Sequence, residues 1–315
     1  MARNNTNALA AVAVSGAAFA QVSLYGKVDL GYGSSKTESG AGVTTAKSSG
    51  MQSGHQSSSR WGMKGSEDLG GGLTASFNYE SAISANDGKS SDFTRRSVVG
   101  LSGGFGSFGM GRDYNPYFGV VGFSDVTGVD GSATASLLGG VRTSNMFLYT
   151  SPSFGGVTVK MGYAGNSTGV AATKATSTDV SATYAAGALK VAIAQQVNNP
   201  TVGGVAGDKT TNVAFGATYD MGTAKVYLNN LSSKTAGVTS QETNLGVSAP
   251  MGTVMLLAGI GRNAETDVKS ANDFVVGADY NLSKRTNVYA RYKKIGVVDN
   301  GGKTTGVSVG LRHSF

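Results

Sequence analysis

Charged side chains recur at corresponding places in stretches where apolar and polar residues alternate. In "SSSRWGMKG" the Trp and Met lie on the apolar face, which places Arg60 on the polar face. The same alternation puts Glu80, Arg95 and Arg142 on polar faces, while the phase of "FTRRSVV" turns Arg96 to the apolar side. Guanidinium groups stay charged at any working pH. A row of them facing carboxylates would create a transverse electric field that selects between ions.

Residues suited to nucleophilic or metal chemistry are scarce in this chain, which has two His and no Cys. His55 lies in a loop rich in Ser and Gly, and His313 lies on an apolar face near the C-terminus, so neither suits a general base. Without Cys or a His cluster we expect no metal site, and we expect no cofactor. We therefore predict that the protein is not an enzyme.

Alternation with period two recurs along the chain and predicts the strands that carry these charges. It is clearest in "VSLYGKVDLGY", "VTVKMGY", "NVAFGATY", "DFVVGADY" and "TNVYARYKK". No stretch after residue 20 shows a sustained helical period. No apolar run there approaches the ~20 residues that a membrane-spanning helix needs.

Seven short turns, most of them rich in glycine, each join two alternating segments, at 67–72, 103–106, 153–156, 185–188, 220–223, 250–253 and 281–286. These hairpins and the two terminal segments predict 16 strands. Longer polar connections link the strands at their other ends, over residues 34–56, 81–92, 114–141, 164–178, 198–209, 232–240, 264–270 and 296–304. Short links at one end and long links at the other indicate an up-and-down meander.

An open meander of this size would expose two sheet edges, and closure into a barrel removes them. Apolar and aromatic residues outside with small and polar residues inside are typical of a transmembrane barrel. We therefore predict an all-β fold, a 16-stranded antiparallel transmembrane β-barrel over residues 21–315. Residues 1–20 are predicted to be a secretory signal peptide, with Arg3 before an apolar segment and Ala18-Phe19-Ala20 at the cleavage site.

Several stretches resemble the general, non-specific porins of Gram-negative outer membranes, in their beta-proteobacterial form. They are "SRWGMKGSEDLGGGL", "RRSVVGLSGGFGSFGMGRDY", "YTSPSFGG", "LSKRT" and "GLRHSF". The resemblance implies a homotrimer of 16-stranded barrels in outer-membrane lipid and lipopolysaccharide, with passive diffusion of ions and small hydrophilic solutes through each barrel. It also implies that the third external loop, 114–141, folds inward and narrows the pore. A nucleic-acid partner is not expected.

The resemblance further implies which residues line the narrowest part of the pore. They are Arg60, Arg95 and Arg142 with Glu80 beside them, and Asp125 and Asp130 of the third loop opposite. By alternation the pore also carries more basic than acidic residues, which favours anions; the basic ones are Lys27, Lys160, Lys190, Lys225, Arg291, Lys293 and Arg312, against Asp29 and Asp279. A channel specific for a sugar or a particular anion stays open as the alternative, because the third loop contains Tyr114, Tyr117, Phe118 and Phe123.

The chain ends on an aromatic residue at the end of the alternating stretch "TGVSVGLRHSF". With the apolar face outward, Phe315 lies in the lower aromatic girdle of the barrel. The resemblance implies that the outer-membrane assembly machinery recognises this terminal aromatic. Arg112 shares the outward face with Phe108 and Met110, where the resemblance implies a contact between subunits.

Overall fold

The computed structural model describes residues 21–128, 139–168, 173–202, 205–298 and 301–315. Within these ranges, 18 hydrogen-bonded segments form one antiparallel sheet. Two of the segments make one interrupted strand, and Lys89–Ser90 is a two-residue extension, so the described part of the chain is a closed barrel of 16 strands. The predicted fold class is confirmed.

The barrel strands follow the chain in order around the sheet. They are β1 (Gln21–Glu38), β2 (in two segments, Thr44–Ser53 and Arg60–Gly70), β3 (Leu73–Ser84), β4 (Arg96–Gly103), β5 (Gly106–Tyr114), β6 (Arg142–Thr150), β7 (Val157–Thr168), β8 (Thr173–Ala186), β9 (Leu189–Asn199), β10 (Thr210–Asp220), β11 (Lys225–Thr235), β12 (Val238–Met251), β13 (Val254–Glu265), β14 (Val268–Asn281), β15 (Thr286–Gly296) and β16 (Lys303–Ser314). Thr201–Val202 pairs with Val205–Ala206 in a small separate hairpin.

The barrel closes where the first strand pairs with the last. The antiparallel register of β1 and β16 runs from Lys27 opposite Ser314 to Glu38 opposite Lys303. Gly26 and Phe315 extend it with two backbone hydrogen bonds of 3.0 Å. The C-terminal residue therefore takes part in the closure through its backbone.

The two faces of the strands have inverted polarity compared with a water-soluble barrel. Large apolar side chains lie outside, where Leu24, Ile193 and Val309 are more than half exposed. Amides lie inside, where Asn229 and Asn244 are buried. This is the distribution expected when the outer surface faces lipid and the interior holds water and polar groups.

Strands extend further than the sequence predicts at the end of the barrel with the long connections. The predicted connection 34–56 is mostly strand, because β1 runs to Glu38 and β2 starts at Thr44. Similarly, only Ala236 and Gly237, both with positive φ, join β11 to β12. Beyond the bilayer both faces of a strand meet water, so the apolar alternation disappears while the hydrogen-bonded ladder continues. The seven short turns are at the predicted places.

The third loop contains a helix that the sequence does not predict, α1 (Pro116–Ser124). Asn115 caps it by accepting a hydrogen bond from the backbone N–H of Phe118 (2.7 Å), and Pro116 takes the first turn, where its missing N–H is harmless. Because apolar residues and glycines lie on all sides of α1, its sequence has no helical periodicity. No helix in the described residues is long and apolar enough to cross a membrane.

Helix α1 lies inside the barrel, against the inner face of β7 to β11. Its buried residues Tyr117, Val120 and Val121 pack with small wall residues, and the buried apolar cluster is completed by Ala192, Ala194, Ala214 and Leu231. Burial of each valine side chain stabilises the docked helix by about 1.5–3 kcal/mol. The inward-folded third loop therefore has an apolar core of its own.

A glycine in the wall permits this close approach. A Cβ added at Gly216 would lie 2.7 Å from Ser124 Oγ, 2.8 Å from Ser124 Cβ and 3.0 Å from Val120 Cγ1. Within α1, by contrast, a Cβ added at Gly119 meets nothing within 4 Å. The chain thus offers one Gly→Ala change that should disturb the docked helix and one that should not.

We expect Gly216→Ala to displace α1 and to reduce the stability of its docking by about 1–3 kcal/mol, the usual effect of overpacking. Limited proteolysis of the folded protein should cut residues 115–128 faster in this variant than in the parent protein. Gly119→Ala should not accelerate cleavage, because Ala favours a helix over Gly by about 1 kcal/mol. Equal cleavage rates for the two variants would show that α1 does not touch the wall at Gly216.

Candidate functional site

A buried ion pair lies where the third loop leaves the barrel wall. Arg95 Nε donates to Glu80 Oε1 at 2.6 Å, and both side chains are less than a tenth exposed. The hydroxyl of Tyr25 donates to the other carboxylate oxygen at 3.1 Å. The positive charge of Arg95 thus offsets the negative charge of Glu80, and the pair has almost no net charge.

Tyr114, the last residue of β5, connects two of the predicted arginines. Its hydroxyl accepts hydrogen bonds from Arg95 Nη2 (3.2 Å) and Arg142 Nη2 (2.8 Å). The guanidinium of Arg142 also lies 4.4 Å from the centre of the Tyr114 ring, within the range of a cation–π contact. Tyr114 in turn stacks on Phe118 of α1, with ring centres 5.1 Å apart. The arginines are therefore tied to the root of the inward-folded loop.

Arg60 begins the second segment of β2 and faces inward, as the alternation predicts. Its Nε donates to the carbonyl of Ser58 (2.9 Å) and its Nη2 to the hydroxyl of Ser57 (2.8 Å). Its charge also acts on Glu80. The structure thus brings Arg60, Arg95, Arg142 and Glu80 into one region, the arginine cluster, in which Arg60 and Arg142 are only half-buried.

Arg96 faces into the barrel, and the prediction that it faces outward is wrong. It lies opposite Glu80 in the register of β3 and β4 and forms two 2.7 Å hydrogen bonds with the carboxylate of Asp113. The chain turns at residues 94–95, so the alternation before β4 is out of phase with the strand. The exposed residues Val99 and Leu101 show the true phase and would have placed Arg96 correctly. Arg112 lies on the outward row of β5 and donates to Ser144 Oγ at 2.8 Å.

Of the two predicted acids in the third loop, Asp125 ends α1 and is buried. Its backbone N–H donates to Val121 O (3.2 Å), and its carboxylate accepts the backbone N–H of Thr127 (2.6 Å). These contacts hold the turn after the helix. Asp130 lies outside the described residues.

Inward-facing acids are more numerous than the alternation predicts. Asp113, Asp179, Glu242 and Asp273 are buried on the inner face, where alternation predicts only Asp29, Glu80 and Asp279. Asp273 starts the alternating stretch "DFVVGADY" and has the inward parity of Asp279, so the sequence pattern could have found it. Among the described residues the inner face still carries more basic than acidic side chains; the basic ones are Lys27, Arg60, Lys64, Arg95, Arg96, Arg142, Lys160, Lys190, Lys225, Arg291, Lys293 and Arg312.

Buried polar groups form the floor under α1. Asp179 accepts the backbone N–H of Tyr117 (3.0 Å) and the amide of Gln196 (2.8 Å). A carboxylate at this place stabilises the N-terminal end of the helix. Farther along, the amide of Asn229 donates to the carbonyl of Ser124 (3.1 Å) at the C-terminal end. Burial beside Glu242 and Asp179 raises the pKa of Tyr117, so its phenol stays neutral.

The acidic and histidine side chains are not clustered as metal ligands would be in the part of the chain that the structure describes. There, no group of three or more His, Cys, Asp or Glu side chains is placed to hold a metal ion. The polar residues of the inner face instead make ion pairs, amide ladders and helix contacts. This arrangement presents fixed charges to the interior of the barrel.

Comparison with known proteins identifies relatives with the same architecture. A sequence family described as Gram-negative porin matches residues 8–300. Outer membrane porin protein 32 of Delftia acidovorans is 32% identical over 98% of each chain. An outer membrane porin protein of Bordetella pertussis is 29% identical over 98% of this chain and 97% of that protein.

Among solved structures, an anion-selective porin from Comamonas acidovorans superimposes with a TM-score of 0.79 at 29% identity. The match covers 94% of this chain and 100% of the other. The beta-proteobacterial resemblance noted in the sequence is thereby confirmed. The chain belongs to the Gram-negative porin family and is a multi-pass barrel of the outer membrane.

Proposed function

We propose that the protein is a pore for the passive diffusion of ions and small hydrophilic solutes across the outer membrane, with a preference for anions. One observation carries the preference. Arg60 and Arg142 are half-buried in the arginine cluster, so they can present charge to the pore, whereas Arg95 and Glu80 neutralise each other. The likeness to an anion-selective porin supports the same conclusion.

Physical reasoning links this arrangement to selectivity. Fixed cations lower the free energy of an anion and raise that of a cation in a confined space where few mobile ions screen them. At 0.1 M salt the Debye length is about 10 Å, so the effect should weaken as salt rises. The surplus of basic residues over the whole inner face acts in the same direction as the arginine cluster.

The aromatic residues of the third loop give little support to a channel specific for one solute. Tyr117, a residue of α1, is buried against the barrel wall, and the ring of Tyr114 makes a cation–π contact with Arg142. Phe123 lies 4.0 Å from the Nζ of Lys190. These rings pack against other side chains or contact cations. They therefore do not form a continuous aromatic surface along which a sugar could bind. We also propose that the protein has no enzymatic activity.

The proposed partners follow from the outer surface. We propose a homotrimer surrounded by outer-membrane lipid and lipopolysaccharide, with β1 to β5 turned toward neighbouring subunits. The exposed apolar row of β5, including Phe108 and Met110, and the adjacent Arg112 support this orientation. The assembly machinery of the outer membrane is the proposed partner of Phe315, whose side chain is about half exposed.

We expect Arg95→Ala to shift the zero-current potential of the pore toward cation preference, because the charge of Glu80 is then uncompensated. The measurement is a planar-bilayer recording in a KCl gradient at low salt. Glu80→Gln should have the opposite effect, since it frees the charge of Arg95, and the double variant should return toward the parent value. The outward-facing Arg112→Ala is the matched control and should leave the potential unchanged.

The constriction assignment would be overturned by one result in particular. If Arg60→Ala combined with Arg95→Ala left conductance and zero-current potential unmoved at low salt, selectivity would come from the other basic residues. Unchanged folding of each variant is checked by its resistance to denaturation in detergent without heating.

Light scattering of the protein in mild detergent should give three times the mass of one chain. Met110→Arg, on the outward row of β5, should convert trimers to smaller species. Leu245→Arg is the matched control, because Leu245 is also exposed but lies on β12, away from the proposed interface. A parent protein that stayed monomeric under gentle extraction would contradict the trimer.

We expect Phe315→Ser to reduce the amount of folded barrel in the outer membrane of cells, while refolding from urea into detergent proceeds as in the parent. The two backbone bonds between Phe315 and Gly26 do not need the aromatic ring, so the closed barrel should survive the change. Val309→Ser removes another exposed apolar side chain from the same strand and should have little effect. Equal loss in both assays would mean that the ring acts by packing alone.

A further inference from the structure

The second barrel strand is interrupted by a segment that folds inward. In the register of β1 and β2, Leu30 pairs with Ser53 and Lys27 pairs with Arg60. Six residues, 54–59, therefore lie opposite only two residues of β1. We call these six residues the inner ledge.

Asp29 of β1 holds the inner ledge in place. One oxygen of this fully buried carboxylate accepts the backbone N–H groups of Gln56 (2.8 Å) and Ser57 (2.5 Å), and the other accepts the hydroxyl of Tyr289 (2.5 Å). Its backbone also bonds the ledge, since its N–H donates to Ser59 Oγ and its carbonyl accepts from the Gly54 N–H. Consecutive backbone N–H groups form a concave anion-binding site, and here the anion is a side chain of the chain itself.

Glycines make room for the ledge on the inner wall. A Cβ added at Gly33 would lie 2.5 Å from Cε1 of His55, and one at Gly310 would lie 2.3 Å from the hydroxyl of Tyr289. The amide of Asn287 on β15 adds a 3.1 Å hydrogen bond to Gln56 Oε1. The ledge is therefore docked on β1 and β15 by its own set of contacts.

The ledge in turn positions two cations of the pore. Ser57 Oγ accepts hydrogen bonds from Lys27 Nζ (3.1 Å) and Arg60 Nη2 (2.8 Å), which uses both lone pairs of the hydroxyl. The carbonyl of Ser58 accepts from Arg60 Nε at 2.9 Å. Arg60, a member of the arginine cluster, is thus held from the ledge through two of its nitrogens.

The ledge and α1 lie on opposite walls. The ledge rests on the seam where β16 meets β1, and α1 rests on β7 to β11. In a ring of 16 strands, β9 is the strand diametrically opposite β1. The two inward-folded elements therefore project into the barrel from opposite sides.

We propose that the inner ledge is a second constriction element, and that Asp29 and Ser57 are positioning residues for the ion selectivity of the pore. This inference rests on the proposed function. It has a counterintuitive consequence: a buried acid increases the preference for anions, because it anchors the segment that fixes Lys27 and Arg60.

Two substitutions of Asp29 separate the effect of its charge from its anchoring role. For each variant the zero-current potential and the conductance are measured in planar bilayers. Asp29→Asn removes the charge but keeps an oxygen for the ledge N–H groups, so it should hold or increase the anion preference. Asp29→Ala removes the anchor, so it should shift the potential toward cation preference and increase the conductance. A purely electrostatic role predicts the same shift toward anions in both variants, and that result would overturn the proposal.

Substitutions of Ser57 test the inference without altering any charge and with little risk to folding. Ser57→Ala should reduce the anion preference. Ser57→Thr keeps the hydroxyl and should keep the anion preference of the parent. Ser23→Ala, an inward serine of β1 outside the ledge, is the matched control and should behave as the parent. Equal potentials for Ser57→Ala and the parent would overturn the positioning role of Ser57.

The same recordings distinguish the failure of this inference from failure of the proposed function. A parent protein that forms pores without anion preference would contradict the proposed selectivity. The conductance of Asp29→Ala would still test the ledge, because release of a constriction element raises conductance whatever the ion preference. An unchanged conductance in that variant would show that the ledge does not narrow the pore.

Discussion

Closure of the backbone ladder between β1 and β16 is the constraint on which the rest of this molecule depends. A chain in a bilayer cannot leave backbone N–H and C=O groups unpaired, since lipid offers them no partner. The first and last strands remove the two open edges by pairing from Lys27 to Glu38 on one side and from Ser314 to Lys303 on the other. Once the wall is complete, the inner face is free to carry polar groups, and the outer face is free to be apolar.

Small residues on the inner face decide where additional chain can be accommodated within the barrel. Gly216 lets α1 approach the wall of β10, and Gly33 lets His55 of the inner ledge approach β1. In each place a buried carboxylate accepts backbone N–H groups of the inserted segment, Asp179 for α1 and Asp29 for the ledge. Both inward-folded segments are therefore docked in the same way. A glycine in the wall makes room for the segment, and a buried carboxylate binds its backbone.

Alternation predicted the strands and short turns because lipid on one side and water on the other impose period two on every spanning residue. Where a strand no longer has lipid on one side and water on the other, the period of two disappears from the sequence. The strand residues 34–38 and 44–53 are mostly polar on both faces, so the sequence predicts a loop there, and α1 is apolar on all sides and has no period. Arg95 lies in the turn before β4 and Arg96 begins that strand, so one phase could not describe both. The inner ledge is set by tertiary contacts of Asp29, which no local pattern of residues 54–59 contains.

The charges of the arginine cluster divide into two physical roles. A buried ion pair contributes little net stability, because the desolvation of both groups offsets their attraction. The Arg95–Glu80 and Arg96–Asp113 pairs are therefore better understood as geometric ties, which fix β3, β4 and β5 at the root of the third loop. Arg142 is bonded instead to a neutral oxygen, the hydroxyl of Tyr114. A neutral partner fixes a guanidinium without cancelling its charge, which is what a pore needs if the field is to act on a passing ion.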